Sequence, residues 1–325
     1  MIIAEQISKV FNDIKAVDNI SFTVKEGETM VLLGTSGCGK TTTLKMLNRL
    51  IEASSGSISI DGKNIFDQKP EVLRRTIGYV SQNNGLFPHY TVEENVAVVP
   101  RLLGWDKART RKRAQELLDQ LKLPLSAFGH KYPDELSGGQ QQRVTIARAL
   151  ISDPPVLLMD EPFGALDPIT RAGVRKEFLE LPELKSKTIV LVTHDVQEAF
   201  ELGDHICLMD KGKIVQAGTA KDLVLRPAND FTKTFFDNQR FFLEMSALTF
   251  SDIWETLETN DNWEAEDTIN SALIIKSNIT LWDGMQLLSA AKNDALLIHD
   301  KDLNERKVFT MTAIQDGYKT IKERI

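Results

Sequence analysis

The stretch Gly34-Thr35-Ser36-Gly37-Cys38-Gly39-Lys40-Thr41-Thr42 constrains this chain more than any other. It fits G-x-x-x-x-G-K-[ST], follows the apolar run Met30-Val-Leu-Leu33, and opens into Leu44-Lys-Met-Leu-Asn-Arg-Leu50, whose apolar residues recur at helical spacing. Strand, glycine-rich turn and helix start together make a phosphate-binding loop rather than an ordinary turn. The glycines let successive backbone N–H groups turn inward, and the helix N-terminus adds partial positive charge. Lys40 can then reach the β- and γ-phosphates, Thr41 can put its hydroxyl on Mg²⁺, and Thr42 can donate to the α-phosphate.

At 325 residues the chain is long enough for two domains and a substantial core. Its 42% hydrophobic and 26% charged content is that of a soluble globular protein. No apolar run approaches the length of a membrane span, and the N-terminus lacks a signal peptide's pattern. Two cysteines, Cys38 and Cys207, suggest no disulfide framework, so a reducing cytosol is the expectation. Residues 1–240 carry 31 basic and 31 acidic side chains, whereas residues 241–325 carry 8 and 15, so the net charge of −7 sits in the tail. That balance argues against nucleic acid as a partner. The cluster Lys107-Ala-Arg-Thr-Arg-Lys-Arg113 reads as a solvated helix start.

Along the chain, residues 2–30 alternate apolar runs with turn signals and predict antiparallel strands. Phe11 lies there and, taken alone, reads as a core aromatic. Ser57–Ile60, Asp61-Gly62 and Ile65 suggest another hairpin, and Thr76–Gln82 a strand with a polar end. Thr91–Leu103 and Lys107–Leu123 look like amphipathic helices, a helical insert between two halves of a nucleotide-binding core. Leu136-Ser137-Gly138-Gly139-Gln140 enters a helix that Pro154-Pro155 stop. Val156–Met159 predicts a buried strand ending at Asp160-Glu161, and Thr188–Thr193 a second ending at His194-Asp195. Val196–Leu202 is helical, with Ile206–Met209 and Ile214-Val215 as edge strands. The fold class is α/β, with a mainly parallel sheet covered on both faces. Paired carboxylates at the C-terminal edge of such a sheet suit orientation of a metal and activation of water.

These residues resemble the nucleotide-binding subunit of ATP-binding-cassette (ABC) transporters over about residues 1–235. Leu136–Gln140 is the most specific element, together with Gly34–Thr42, Asp160-Glu161 and His194. The resemblance implies a P-loop ABC-type ATPase: a RecA-like core, an antiparallel β subdomain, and a helical subdomain at about 83–150. It implies ATP and Mg²⁺ as ligands. Phe11 would stack on adenine beside Gly34, Ser36, Gly37, Cys38, Gly39, Lys40, Thr41 and Thr42. Thr41, Gln82 and Asp160 would serve the metal, with Gln82 also sensing the γ-phosphate. Glu161 would be the catalytic base and His194 the switch histidine. Ser137, Gly138, Gly139, Gln140 and Asp167 would act in trans, on ATP held by a second copy, so a homodimer with two ATP at its interface is expected.

The resemblance further implies integral-membrane permease subunits docking on the helical subdomain, a substrate-binding protein acting indirectly, and a peripheral place on the cytoplasmic face of the cell membrane. Asn83–Val96 resembles the segment that lies beneath the permease's coupling helix, and its continuation Ala97–Trp105, like Arg226–Phe231, is similar to importers of quaternary amines such as glycine betaine, carnitine and choline. An importer of another solute, such as an amino acid, and a soluble non-transport ABC ATPase are the alternatives. One cassette, no sustained heptads and no basic excess disfavour the last.

Residues 236–325 carry no ATPase motif and are expected to form a regulatory or dimerisation region. Strand Ala272–Ile275, helix Thr280–Ala291, strands Ala295–Ile298 and Lys307–Met311, and a last helix opened by a capping box at Thr312–Gln315 resemble one CBS (cystathionine-β-synthase-type) module, about 269–325. Gln315 stands where such modules carry an Asp for an adenine nucleotide.

Overall fold

The computed structural model describes residues 1–259, 275–290, 295–300 and 305–324. They divide by contact density into two units, Met1–Thr219 and Ala220–Ile325.

The first unit holds two sheets. Strands β1 (Ile2–Phe11), β2 (Ile14–Val24), β4 (Ser55–Ile60) and β5 (Lys63–Asn64) form an antiparallel sheet in the order β2-β1-β4-β5. The β1–β2 turn, Asn12-Asp13, has φ of 43° and 68°. Positive φ at both turn residues matches the twist of a tight hairpin, and Asn and Asp tolerate it better than most residues.

The second sheet runs β10-β9-β3-β8-β7-β6. It comprises β3 (Thr29–Gly34), β6 (Ile77–Val80), β7 (Val156–Asp160), β8 (Thr188–Thr193), β9 (His205–Asp210) and β10 (Lys213–Gly218). All neighbours are parallel except β10 on β9. Every residue of β7 and β8 is buried, which is why both read as unbroken apolar runs rather than alternating ones. Full burial of Leu157, Leu158 and Met159 contributes roughly 1.5–3 kcal/mol each. Strand β9 is not an edge as the sequence suggested. It pairs with β3 and buries Ile206, Cys207, Leu208 and Met209, leaving only β10 at that edge. Both cysteines are buried and free.

The insert is helical but more broken than its periodicity predicts. Thr91–Leu103 splits into Val92–Val96 and Val98–Leu102. Pro100 has no N–H to give the carbonyl four residues back, so one continuous helix cannot form. Helices Lys107–Gln120, Leu125–Phe128 and Gly138–Leu150 complete it.

The second unit carries strands β11 (Glu258–Thr259), β12 (Ile275–Lys276), β13 (Ala295–Asp300) and β14 (Glu305–Thr310) in the order β11-β14-β13-β12, with helices Leu281–Ala290 and Met311–Arg324. Its core centres on Phe250 and Phe309, both fully buried, with ring centroids 4.4 Å apart. The buried Glu244 accepts from Tyr318 Oη and from Lys322 Nζ at 2.9 Å, so its charge is compensated. The last helix starts at Met311, and the Thr310 hydroxyl accepts from Ala313 N–H at 3.1 Å. The capping residue is therefore Thr310 and not Thr312. Residues 272–274 of the expected strand and Ala291 at the end of the expected helix lie outside the described residues.

Candidate active site

The phosphate loop joins β3 to the helix Lys40–Leu47. Its last residue before the helix, Gly39, has φ 106°, and no side chain caps the helix. A Cβ there would lie 2.4 Å from the Ala16 carbonyl oxygen of β2, so only glycine fits this turn. Lys40 is buried, with Nζ donating to the carbonyls of Gly34 and Thr35, both at 2.8 Å. The loop thus folds around a fixed ammonium. Thr35, Ser36 and Gly37 are exposed at its crown, and Thr42 is half-buried behind it. Cys38 is buried, and burial raises its thiol above the ordinary range. It contributes a backbone carbonyl that accepts from Gly212 N–H at 3.0 Å.

The strands beside β3 supply the acids and their partners. Asp160, the last residue of β7, is 3% exposed and accepts from the Thr41 hydroxyl at 2.7 Å. Burial raises its carboxyl above the usual range, and the Thr41 hydrogen bond opposes that shift. Glu161 takes φ 44°, an uncommon backbone for a glutamate, while its N–H bonds the Val192 carbonyl of β8 at 2.9 Å. One oxygen of Glu161, Oε2, accepts from Gln82 Nε2 at 3.0 Å and lies 3.3 Å from His194 Nδ1. Gln82, Glu161 and His194 follow β6, β7 and β8, three adjacent parallel strands. Residues 79 and 33 positions apart in sequence therefore share a single oxygen atom's surroundings.

The segment after Gln82 is tied to the helix Gly138–Leu150. Arg148 donates to the Asn84 and Gly85 carbonyls at 3.0 and 2.7 Å, and Asn84 Nδ2 donates to Gln141 Oε1 at 3.2 Å. Farther on, the fully buried Asn95 donates to the carbonyls of Phe87, Tyr90 and Thr91 and accepts from Phe87 N–H. These bonds hold Phe87 and Tyr90 exposed on the surface, with ring centroids 5.3 Å apart. Nearby, a cavity of about 630 Å³ is lined by residues including Glu94, Ala97, Trp105, Arg111 and Leu125.

Ser137 caps the helix Gly138–Leu150. Its hydroxyl accepts from Gln140 N–H at 3.4 Å, and Gln140 Oε1 accepts from Ser137 N–H at 2.9 Å. Ser137 and Gly138 are exposed. Gly139 is buried, and a Cβ on it would sit 2.5 Å from Thr170 Cγ2. Asp167 caps the helix Pro168–Glu180 through the N–H groups of Ile169 and Thr170; the Thr170 side chain first, and these backbone bonds with it, hold its carboxyl below the ordinary range. Phe11 is 43% exposed, with Lys9 Nζ 4.9 Å from its ring centroid, so it is no core aromatic.

The geometry brings together Lys40, Thr41, Asp160, Glu161, Gln82 and His194. Sequence reasoning missed Arg148 and Asn95, whose backbone-carbonyl partners leave no mark on a motif. Among the described residues no group of three or more His, Cys, Asp and Glu could hold a metal, and no helix is long and apolar enough to cross a membrane.

Residues 17–164 match the family model described as "ABC transporter". The osmoprotectant import ATP-binding protein OsmV of Salmonella typhimurium (strain LT2) is 50% identical over 264 residues, covering 80% of this chain and 69% of that protein. The glycine betaine/carnitine/choline transport ATP-binding protein OpuCA of Bacillus subtilis is 44% identical over 302 residues, covering 93% and 76%. The dimeric structure of MJ0796, a bacterial ABC transporter cassette, superposes with a TM-score of 0.61 at 35% identity, covering 67% of this chain and 98% of the other. Phosphate loop, carboxylate-ended strand and relatives agree, and the chain belongs to the family of ABC-transporter ATP-binding proteins.

Proposed function

We propose that this protein is the ATP-hydrolysing subunit of an importer for quaternary-amine compatible solutes such as glycine betaine, carnitine or choline. The observation that carries the hydrolytic reading is the convergence of Gln82, Glu161 and His194 beside the phosphate loop. In this reading Lys40 and the helix N-terminus hold the β- and γ-phosphates. Glu161 orients and deprotonates the attacking water, while Gln82 and His194 fix its carboxylate and contact the γ-phosphate. Phe11, exposed at a hairpin tip, stacks on adenine.

The Thr41 hydroxyl and the Asp160 carboxylate, 2.7 Å apart, are hard oxygen donors of the kind Mg²⁺ takes. With so few protein ligands, such an ion would draw most of its coordination from phosphate and water. Thr41, Gln82 and Asp160 would serve it, and when bound it would neutralise charge developing on the phosphates.

Ser137, Gly138, Gly139, Gln140 and Asp167 act on the ATP of a second copy, so that each site is shared between two chains. The exposure of Ser137 and Gly138 and the dimeric state of MJ0796 support this reading. Permease subunits dock on the helical insert, where Phe87 and Tyr90 stand exposed beside the cavity, and hold the protein on the cytoplasmic face of the membrane. A substrate-binding protein acts only through them. Residues 1–235 form the ATPase domain. Residues 236–325, with a CBS-like module at about 269–325, form a dimerisation or regulatory element. The names of the relatives support the solute class. The test is reconstitution with the permease and solute-binding partners in vesicles. ATPase stimulation by a quaternary amine, and none by an amino acid, is expected; the reverse would reassign the solute.

A further inference from the structure

The helix Pro168–Glu180 begins just after Glu161 and touches more of the site than its sequence suggests. Arg171, in its first turn, donates through one guanidinium nitrogen to Asp195 Oδ2 at 3.1 Å. Through the other it donates to the carbonyls of Leu166 at 3.1 Å and Gly164 at 3.5 Å. Those carbonyls belong to the loop that leaves Glu161. Asp195 directly follows His194; its Oδ1 caps the helix Val196–Leu202, and its N–H is fixed on the Thr193 hydroxyl at 3.0 Å. One planar fork therefore spans the two chain segments that aim Glu161 and His194 at each other. Thr170, the preceding residue, packs where a Cβ on Gly139 would collide, so the same helical turn also abuts the glycine-rich helix start.

We propose that Arg171 is a positioning residue for hydrolysis, holding the loop after Glu161 and the His194-Asp195 segment in one register. The inference rests on the hydrolytic reading of Glu161 and adds a residue to it. An arginine suits the task because its fork donates in two directions at once, which a lysine's single ammonium does not reproduce. The next arginine on this face, Arg175, is spent on a bidentate pair with Glu201 and provides a matched control that touches neither segment.

The test compares Arg171→Met, Arg171→Lys, Asp195→Asn and Arg175→Met in the full chain, with Glu161→Gln as the reference for lost chemistry. The readouts are kcat, KM, nucleotide affinity by a fluorescent ATP analogue, and thermal melting. Misplacing the reacting groups should lower kcat of Arg171→Met roughly 10- to 100-fold while nucleotide affinity stays within about threefold. Arg171→Lys should recover part of the loss, and Arg175→Met should keep most of the turnover. Asp195→Asn keeps a good helix cap but loses the charged partner, so it should reproduce the defect in a fold that survives. The double variant Arg171→Met/Asp195→Asn should be no worse than the stronger single. Unchanged kcat in Arg171→Met would overturn the proposal. So would a loss of kcat, affinity and melting temperature together that Arg175→Met matches. If Arg171→Met fails to fold, Asp195→Asn decides: full turnover there overturns the assignment. Should Glu161→Gln itself retain activity, the hydrolytic reading fails first.

Discussion

Two helix N-termini in the first unit offer backbone amides to an anion, and they are finished in opposite ways. The helix Lys40–Leu47 starts from Gly39 in a left-handed conformation with no side-chain cap, wrapped by a loop whose ammonium is buried. The helix Gly138–Leu150 starts from Ser137 with a reciprocal capping box, and its entry stands in solvent. Uncapped amides are a cost that a bound phosphate can offset, so the first terminus is built to be completed by a ligand held in the same chain. The second is satisfied on its own and exposed. It suits a surface that meets a ligand presented by another molecule. The contrast fits the proposed reading, in which each chain supplies two unlike halves of a shared site.

Breaking the first half should have the largest effect. Lys40→Ala removes the ammonium held by the Gly34 and Thr35 carbonyls and should lower turnover by at least about 100-fold, with ATP affinity falling in parallel. Glu161→Gln should lower kcat by about 10²- to 10⁴-fold while ATP still binds, separating chemistry from binding where Lys40→Ala does not. Phe11→Ala should weaken ATP affinity by about 1–3 kcal/mol, read by titration, since a stacked base loses its platform. Gly139→Ala probes the second half. The added Cβ meets Thr170 at 2.5 Å, so thermal melting should report about 1–3 kcal/mol of destabilisation.

Asp160→Asn should sharpen the comparison least in size but with a defined sign. The Asp160 pKa is raised in the fold, so the folded state holds a proton that the unfolded chain has released, and stability falls as pH rises through that window. The neutral Asn variant escapes this and should melt higher than the parent at neutral pH. Its advantage should vanish as pH falls below the ordinary carboxylate range. An equal difference at all pH values would contradict the assigned cause.

Local chemistry made much of this legible. The phosphate loop, the strand before it, and the runs Val156–Met159 and Thr188–Thr193 announced themselves because fully buried parallel strands leave unbroken apolar sequence. What stayed hidden depends on distant partners. The neighbour that makes β9 internal is β3, more than 170 residues earlier by sequence number. The oxygen shared by Gln82 and His194 exists only once three strands align. Arg171 and Arg148 speak to backbone carbonyls, which every residue has. Phe11 was misread on its own because an aromatic in a strand is usually core, and only its place at the hairpin tip reveals the exposure.

The most direct test of the two-halves account is the mass of the Glu161→Gln chain in solution with and without ATP, by light scattering after size exclusion. The 36.5 kDa chain should double its mass when ATP is present. A further Ser137→Arg substitution, which leaves the phosphate loop untouched, should return it to a single copy that still binds nucleotide. A Glu161→Gln chain that binds ATP yet keeps the mass of one copy would contradict the account.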